Sequence, residues 1–211
     1  MFLRDSGIGG GNLGHLFGMD PLDETSVTKG MLWGRLSMKE YEAYYKKYLK
    51  GFQNIRLCAT AAIPGVRESR RIVCDYMLNI DDFMQRAVFD DEIGRYCYPI
   101  DIHVNDTSEE EYKRFSEEYE NLRYAAGESY GIPYRSLIPV SLSNVLVAGR
   151  CMGTDKKMQA SIRVMPGCFI TGQAAGTAAA IAVDSGDVRT VSIQELQKKL
   201  KENGAYLPNC Q

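Results

Sequence analysis

Three arginines within five positions, Arg67, Arg70 and Arg71, with Glu68 among them, carry forked N–H donors of the kind that hold carboxylates. The same residue set also builds ion-pair clusters that only bind structure together, and the residues alone leave both uses open. Asp101 and His103 are two apart, so in an extended segment running from Tyr96 to Val104 they share a face. An imidazole titrating near neutrality beside a carboxylate can act as general acid or base, although a lone histidine also serves as an ordinary satisfied polar group. Further on, Arg150 and Arg163 flank a stretch that ends in Pro166, Gly167, Cys168 and Phe169. If a helix starts at Pro166, where a fixed φ and a missing N–H cost nothing, the N–H groups of Gly167, Cys168 and Phe169 lack partners and the positive end of the helix attracts an anion. A helix start also lowers the pKa of a thiol, which makes Cys168 either a reactive thiolate or a small buried packing residue.

These side chains need elements to hold them. Val145 to Ala148 is a short apolar run between Asn144 and Gly149, which reads as a buried strand of a parallel sheet. The run from Pro166 to Ala182 is a small-residue helix, and Gly172 and Gly176, four apart on one face, each cost roughly 1 kcal/mol against Ala. Their expected use is close approach of a sheet, another helix or a flat ligand. Between strand and helix the reading is a loop. Upstream, residues 1 to about 36 read as loop, and Ser37 and Glu40 form a capping box that starts a tyrosine-striped helix ending at Gly51. Leu57 to Ile63 reads as a strand or buried segment, and Ser69 to Leu78 as a segment paired in a sheet. Asn79 caps a short helix through Phe83 to about Ala87. Ser108 starts a surface helix, Pro133 and Pro139 flank an extended return, and Ser192 caps a final helix that stops near Asn203 and Gly204.

NVLVAGRCMG followed by SIRVMPGCFITGQAAGTAAAIA resembles the C-terminal, flavin-contacting segment of the FAD-dependent oxidoreductase family, laid out like glutathione reductase and fumarate reductase. Gly149, Arg150, Arg163, Met165, Pro166, Gly167, Gly172, Gln173 and Gly176 fit that pattern. Val66 to Tyr76, with its Arg-Glu-Ser-Arg-Arg, the Ile-Asp-Ile-His of residues 100–103, and Ile132 to Pro139 resemble further blocks in family order. The resemblance implies FAD as cofactor, contacted by Gly149, Arg150, Arg163, Pro166, Gly167, Cys168, Gly172, Gln173 and Gly176, with the helix start stabilising negative charge at the pyrimidine edge of the ring. It also implies a small anionic substrate, with His103 and Arg70 as catalytic candidates. The chain departs from the family twice. Asp155, Lys156 and Lys157 stand where members tend to carry a His. Gly7 to Gly14 follows too short a lead to be a strand and has Asn12 at the third glycine of G-x-G-x-x-G, so it reads as a loop and not as a pyrophosphate cradle.

The fold class expected is thus α/β, with α+β as the alternative: the C-terminal part of a Rossmann-like flavoprotein. Residues 1–140 form a substrate-side region and residues 141–211 the strand, loop and helix of the FAD-binding layer with a final helix. Without its cradle the chain is expected to be inactive alone and to be completed by a missing N-terminal FAD-binding half. The alternative is a non-catalytic module that pairs with itself and binds no cofactor. At 211 residues a core burying roughly 70% of the unfolded surface is feasible. A net charge of -2 gives no reason to expect nucleic acid or an anionic membrane. Six cysteines without a Cys-x-x-Cys pair and two histidines, His15 and His103, make a metal site an unlikely use of these residues. The absence of a charged-then-apolar leader points to reduced thiols in the cytoplasm. The uncharged run from Val164 to Val183 is broken by Pro166 and Gln173 and is built of Ala and Gly, unlike a membrane span.

Overall fold

A computed structural model of the chain describes residues 2–3, 9–102, 110, 113, 117, 122–183 and 185–210, with side chains from residue 9 onward. Two compact units emerge, residues 1–66 and 67–211. In the first, β1 (Phe2–Leu3) and β2 (Gly9–Gly10) form a two-residue antiparallel ribbon. Of the glycine-rich stretch, residues 9–14 lie in this ribbon and in irregular backbone, not in a strand-to-helix turn. Helix α1 (Glu24–Tyr48) starts earlier than its sequence indicated, because the Asp23 carboxylate accepts the N–H groups of Thr25 and Ser26 at 3.0 and 3.2 Å. Ser37, read as a cap, lies inside the helix with its hydroxyl donating to Gly34 O. Low-propensity Thr25, Val27, Thr28, Gly30 and Gly34 hide this first half from a pattern search. Gly30 earns its place by packing, since a Cβ there would lie 3.0 Å from Met19 Sδ. Leu57 to Ile63 is irregular and exposed.

The second unit is built on β3 (Glu92–Tyr96) and β4 (Tyr130–Pro133), an antiparallel pair with a bulge between Glu92 and Gly94. Helix α2 (Ile80–Gln85) begins with a complete capping box between Asn79 and Asp82, close to the expected element. A 3-10 turn at Tyr134–Leu137 replaces the extended return. Helix α3 (Lys156–Ile162) fills what read as loop, and α4 (Met165–Ala182) and α5 (Ile193–Glu202) follow with Pro166 and Ser192 at their starts as expected. Ala174, Ala178 and Ala182 on α4 and Leu196 and Leu200 on α5 join Phe83, Ile93, Tyr130 and Ile132 in one core. Ile170 of α4 sits so near β3 that a Cβ at Gly94 would lie 2.4 Å from its Cγ2.

Two expected strands are not ladder strands. Val145 to Ala148 is extended, but its recorded backbone tie is Val147 N–H to Leu137 O at 2.8 Å, so a parallel sheet is not among the described elements. Ser69 to Leu78 pairs only through single bridges, Cys74 with Pro139 and Leu78 with Thr154. The architecture is mixed helix with small antiparallel sheets, consistent with either fold class expected, α/β or α+β. The strand expected from Tyr96 to Val104 ends at Tyr96, and the helix expected from Ser108 lies outside the described residues apart from positions 110, 113, 117 and 122. Among the described residues no single helix is long and apolar enough to cross a membrane, and α3 with α4 reaches that length only across a 91° bend.

Candidate functional site

The Gly149–Cys151 turn meets the first turns of α4. Gly149 has φ +70, a left-handed conformation that suits glycine, and its N–H donates to Thr171 Oγ1 at 3.0 Å. The Thr171 hydroxyl in turn donates to Gly167 O at 3.0 Å, so one helix side chain fastens the turn to the helix. Gly167 makes the sharp elbow between α3 and α4 feasible: a Cβ there would lie 2.3 Å from Ile162 O. Sequence reasoning gave the close-approach role to Gly172 and Gly176, but a Cβ at either meets nothing within 4 Å. Both are exposed on the outer face of α4.

Helix α3 hangs from Asp155, whose carboxylate caps it through Met158 N–H at 2.6 Å and also accepts Ile80 N–H of α2 at 2.9 Å. Asp155 therefore has a structural occupation. An Asp followed by Lys, Lys, Met, Gln and Ala is a cap-then-helix signal that sequence analysis passed over. From α3, Gln159 Nε2 donates to Arg67 O at 3.0 Å, and Arg163 at its end donates to Asp101 O. Asp101 pairs with Arg67 at 3.4 Å and Glu68 with Arg71 at 3.4 Å. Arg150 Nε reaches Arg163 O at 3.4 Å. The fold thus gathers Gly149, Arg150, Arg163, Gly167 and Cys168 with Arg67 and Asp101. Gln159 and Thr171 are participants that sequence analysis missed, and neither residue type carries a spacing signal in a helix.

Other expected members stand apart. Arg70 is exposed and makes no hydrogen bond or ion pair among the described residues. His103 lies outside the described residues. Gln173 turns toward α5, donating to Asn203 O at 3.4 Å. Pro166 is exposed near the start of α4. The expected row of unpartnered N–H groups is shorter than anticipated, because Cys168 N–H already bonds Val164 O at 3.1 Å. With Pro166 lacking a donor, the N–H groups of Met165 and Gly167 remain ahead of that first helical bond.

Burial sets the local electrostatics. The Cys168 thiol is held above its ordinary pKa by burial, with Arg150 opposing, and it donates to Arg163 O at 3.3 Å. Burial thus sides with the packing reading of Cys168 over the thiolate one. Arg163 is 7% exposed, and burial followed by the neighbouring charge of Arg67 lowers its pKa. The Tyr96 hydroxyl is buried beside the Gly167 backbone, without a hydrogen bond of good geometry, and burial pushes it up to about 12. Among the described residues no group of three or more His, Cys, Asp or Glu side chains is placed to hold a metal.

The model of one protein family, described as FAD dependent oxidoreductase, matches residues 9–200. No curated protein and no solved structure matches the chain.

Proposed function

Since the chain belongs to the FAD-dependent oxidoreductase family, whose cofactor is FAD, we propose that residues 149–183 form the wall of a flavoprotein against which the isoalloxazine ring rests. The observation that carries this reading is the outer face of α4. Gly172 and Gly176 cost about 0.8–1.0 kcal/mol each in a helix interior, yet nothing within 4 Å of either would be displaced by a side chain. Packing among the described residues does not require them, so the closeness they permit is proposed to serve a partner beyond those residues. A flat ring or another backbone layer fits such a notch.

The described residues fit the ring end of FAD. Gly149, Gly172 and Gly176 would let the ring and its protein neighbours approach, and Met165 and Gly167 N–H at the positive end of α4 would favour negative charge there. They do not fit the pyrophosphate, because among them no strand leads through G-x-G-x-x-G into a helix. The proposal assigns that cradle to an N-terminal FAD-binding half. FAD supplies the electron chemistry when bound, and this chain positions it and a small anionic substrate. Arg70, with its exposed guanidinium, and His103 are the proposed substrate-side groups.

A second reading has its own support. Met165, Phe169 and Val183, 63%, 66% and 76% exposed, line the same outer face, as in a non-catalytic module that associates through it. Titration of the purified chain with FAD separates the two. Quenched flavin fluorescence with a shifted visible spectrum supports the flavoprotein, and a colourless, FAD-indifferent chain that dimerises on concentration supports the module.

A further inference from the structure

Arg163 presents an electrostatic debt. Its side chain belongs to a residue that is 7% exposed, yet its guanidinium makes one hydrogen bond, to the uncharged Asp101 carbonyl. Among the described residues no carboxylate stands within salt-bridge range of it, since Asp101 pairs with Arg67 and Glu68 with Arg71. Buried cations ordinarily have a partner, because an uncompensated one costs several kcal/mol. The neighbouring charges are mixed: Arg67 and Arg150 disfavour its charged form, while Asp101 and Glu68 favour it without reaching salt-bridge distance. The guanidinium keeps this position because its backbone is fixed on both sides. Arg163 N–H bonds Gln159 O at 3.0 Å and Arg163 O accepts from Cys168 Sγ and Arg150 Nε. The side chain is thus held in place while its Nε and Nη1 have no acceptor among the described residues and are not sealed from solvent.

We propose that Arg163 is the centre of a built oxyanion site, which takes a small carboxylate or phosphate on its guanidinium fork with Arg67 and Arg150 supplying the surrounding positive charge. The fork matches two oxygens of either anion, and the anion supplies the charge that burial demands. This deepens the anionic-substrate part of the function proposed above but does not require the flavin, because none of its three arginines lies on the glycine face of α4.

The test uses the full flavin-free chain. Its thermal midpoint is followed at constant ionic strength while chloride is replaced by inorganic phosphate in one arm and by acetate or malonate in the other. A ligand that binds only the folded state raises the midpoint with concentration. The expected result is a saturable rise in at least one oxyanion arm, and the arm that responds identifies the source. Arg163→Gln should weaken that response about thirtyfold or more, as for loss of a buried charge partner. Arg150→Gln, at an exposed position, should weaken it by about fivefold or less. A wild-type midpoint indifferent to both anions overturns the proposal, as does an equal rise in Arg163→Gln. Should that variant not fold, the Nε–H resonance of Arg163 in the wild-type chain decides: it moves with added oxyanion, or the proposal fails. FAD binding without anion binding would leave the flavin reading standing and sink this one.

Discussion

A thiol at the start of a long helix would ordinarily lean toward thiolate, and at Cys168 burial outweighs that lean. Alkylation at neutral pH, followed by peptide mass mapping, should therefore modify exposed Cys58 and Cys97 well before Cys168. Cys168 reacting first would show that the helix start dominates. Cys74 offers a pH signature. Burial pushes its thiol from an ordinary value near 9 to about 11, so the folded state favours the protonated form. That contribution is complete below about pH 9 and is lost as pH rises through 11, a difference of about 2–3 kcal/mol. Denaturant unfolding should weaken across that window in the wild type and less in Cys74→Ala. At this scale the sequence was informative about residue type and silent about partners. Arg67, Asp101, Arg150 and Arg163 stood out as charges, and their meeting depends on Gln159 and the α3–α4 elbow. No local spacing encodes a contact across 62 residues, such as that of Arg163 with Asp101.

Helix α4 shows how much one element can be asked to do on two faces. Its inner stripe of Gly167, Thr171, Ala174, Ala178 and Ala182 is buried, and its outer stripe holds the open glycines. Glycine substitutions on the two faces should behave oppositely. Gly167→Ala drives a methyl to 2.3 Å from Ile162 O and should destabilise by about 1–3 kcal/mol. Gly172→Ala and Gly176→Ala meet nothing and should each stabilise by about 0.8–1.0 kcal/mol while weakening FAD uptake. Equal losses on both faces would remove the argument for an outer partner. The helix was legible because Pro166 marks its start and an alanine-rich run follows. Helix α3 was not, because seven residues that open with two lysines carry too short a period. The strand at Val145 was misread for a different reason: an apolar run reports burial potential, and pairing needs a neighbour that the described residues do not provide.

At the scale of the molecule, the 67–211 unit is pinned by an ion pair beneath its sheet. Glu92, fully buried, meets Arg95, with Gly131 leaving the room: a Cβ there would lie 2.2 Å from Glu92 Oε1. Burial raises the Glu92 pKa in spite of its partner. Glu92→Ala strands a buried guanidinium and should cost about 3–5 kcal/mol in denaturant unfolding, whereas Glu42→Ala at an exposed helix pair should leave the unfolding midpoint nearly unchanged. Mixed α and β content and the final helix were readable from pattern, but the division near residue 66 was not, since only Pro64-Gly65 marks it and a two-residue break reads equally as a turn within one unit. What ties the three scales together is the outer face of α4 as a flavin wall. Hydrogen–deuterium exchange of the full chain with and without FAD tests it most directly. The account predicts slower exchange concentrated in residues 149–151 and 165–183 when FAD is added, and protection elsewhere with none in those segments would contradict it.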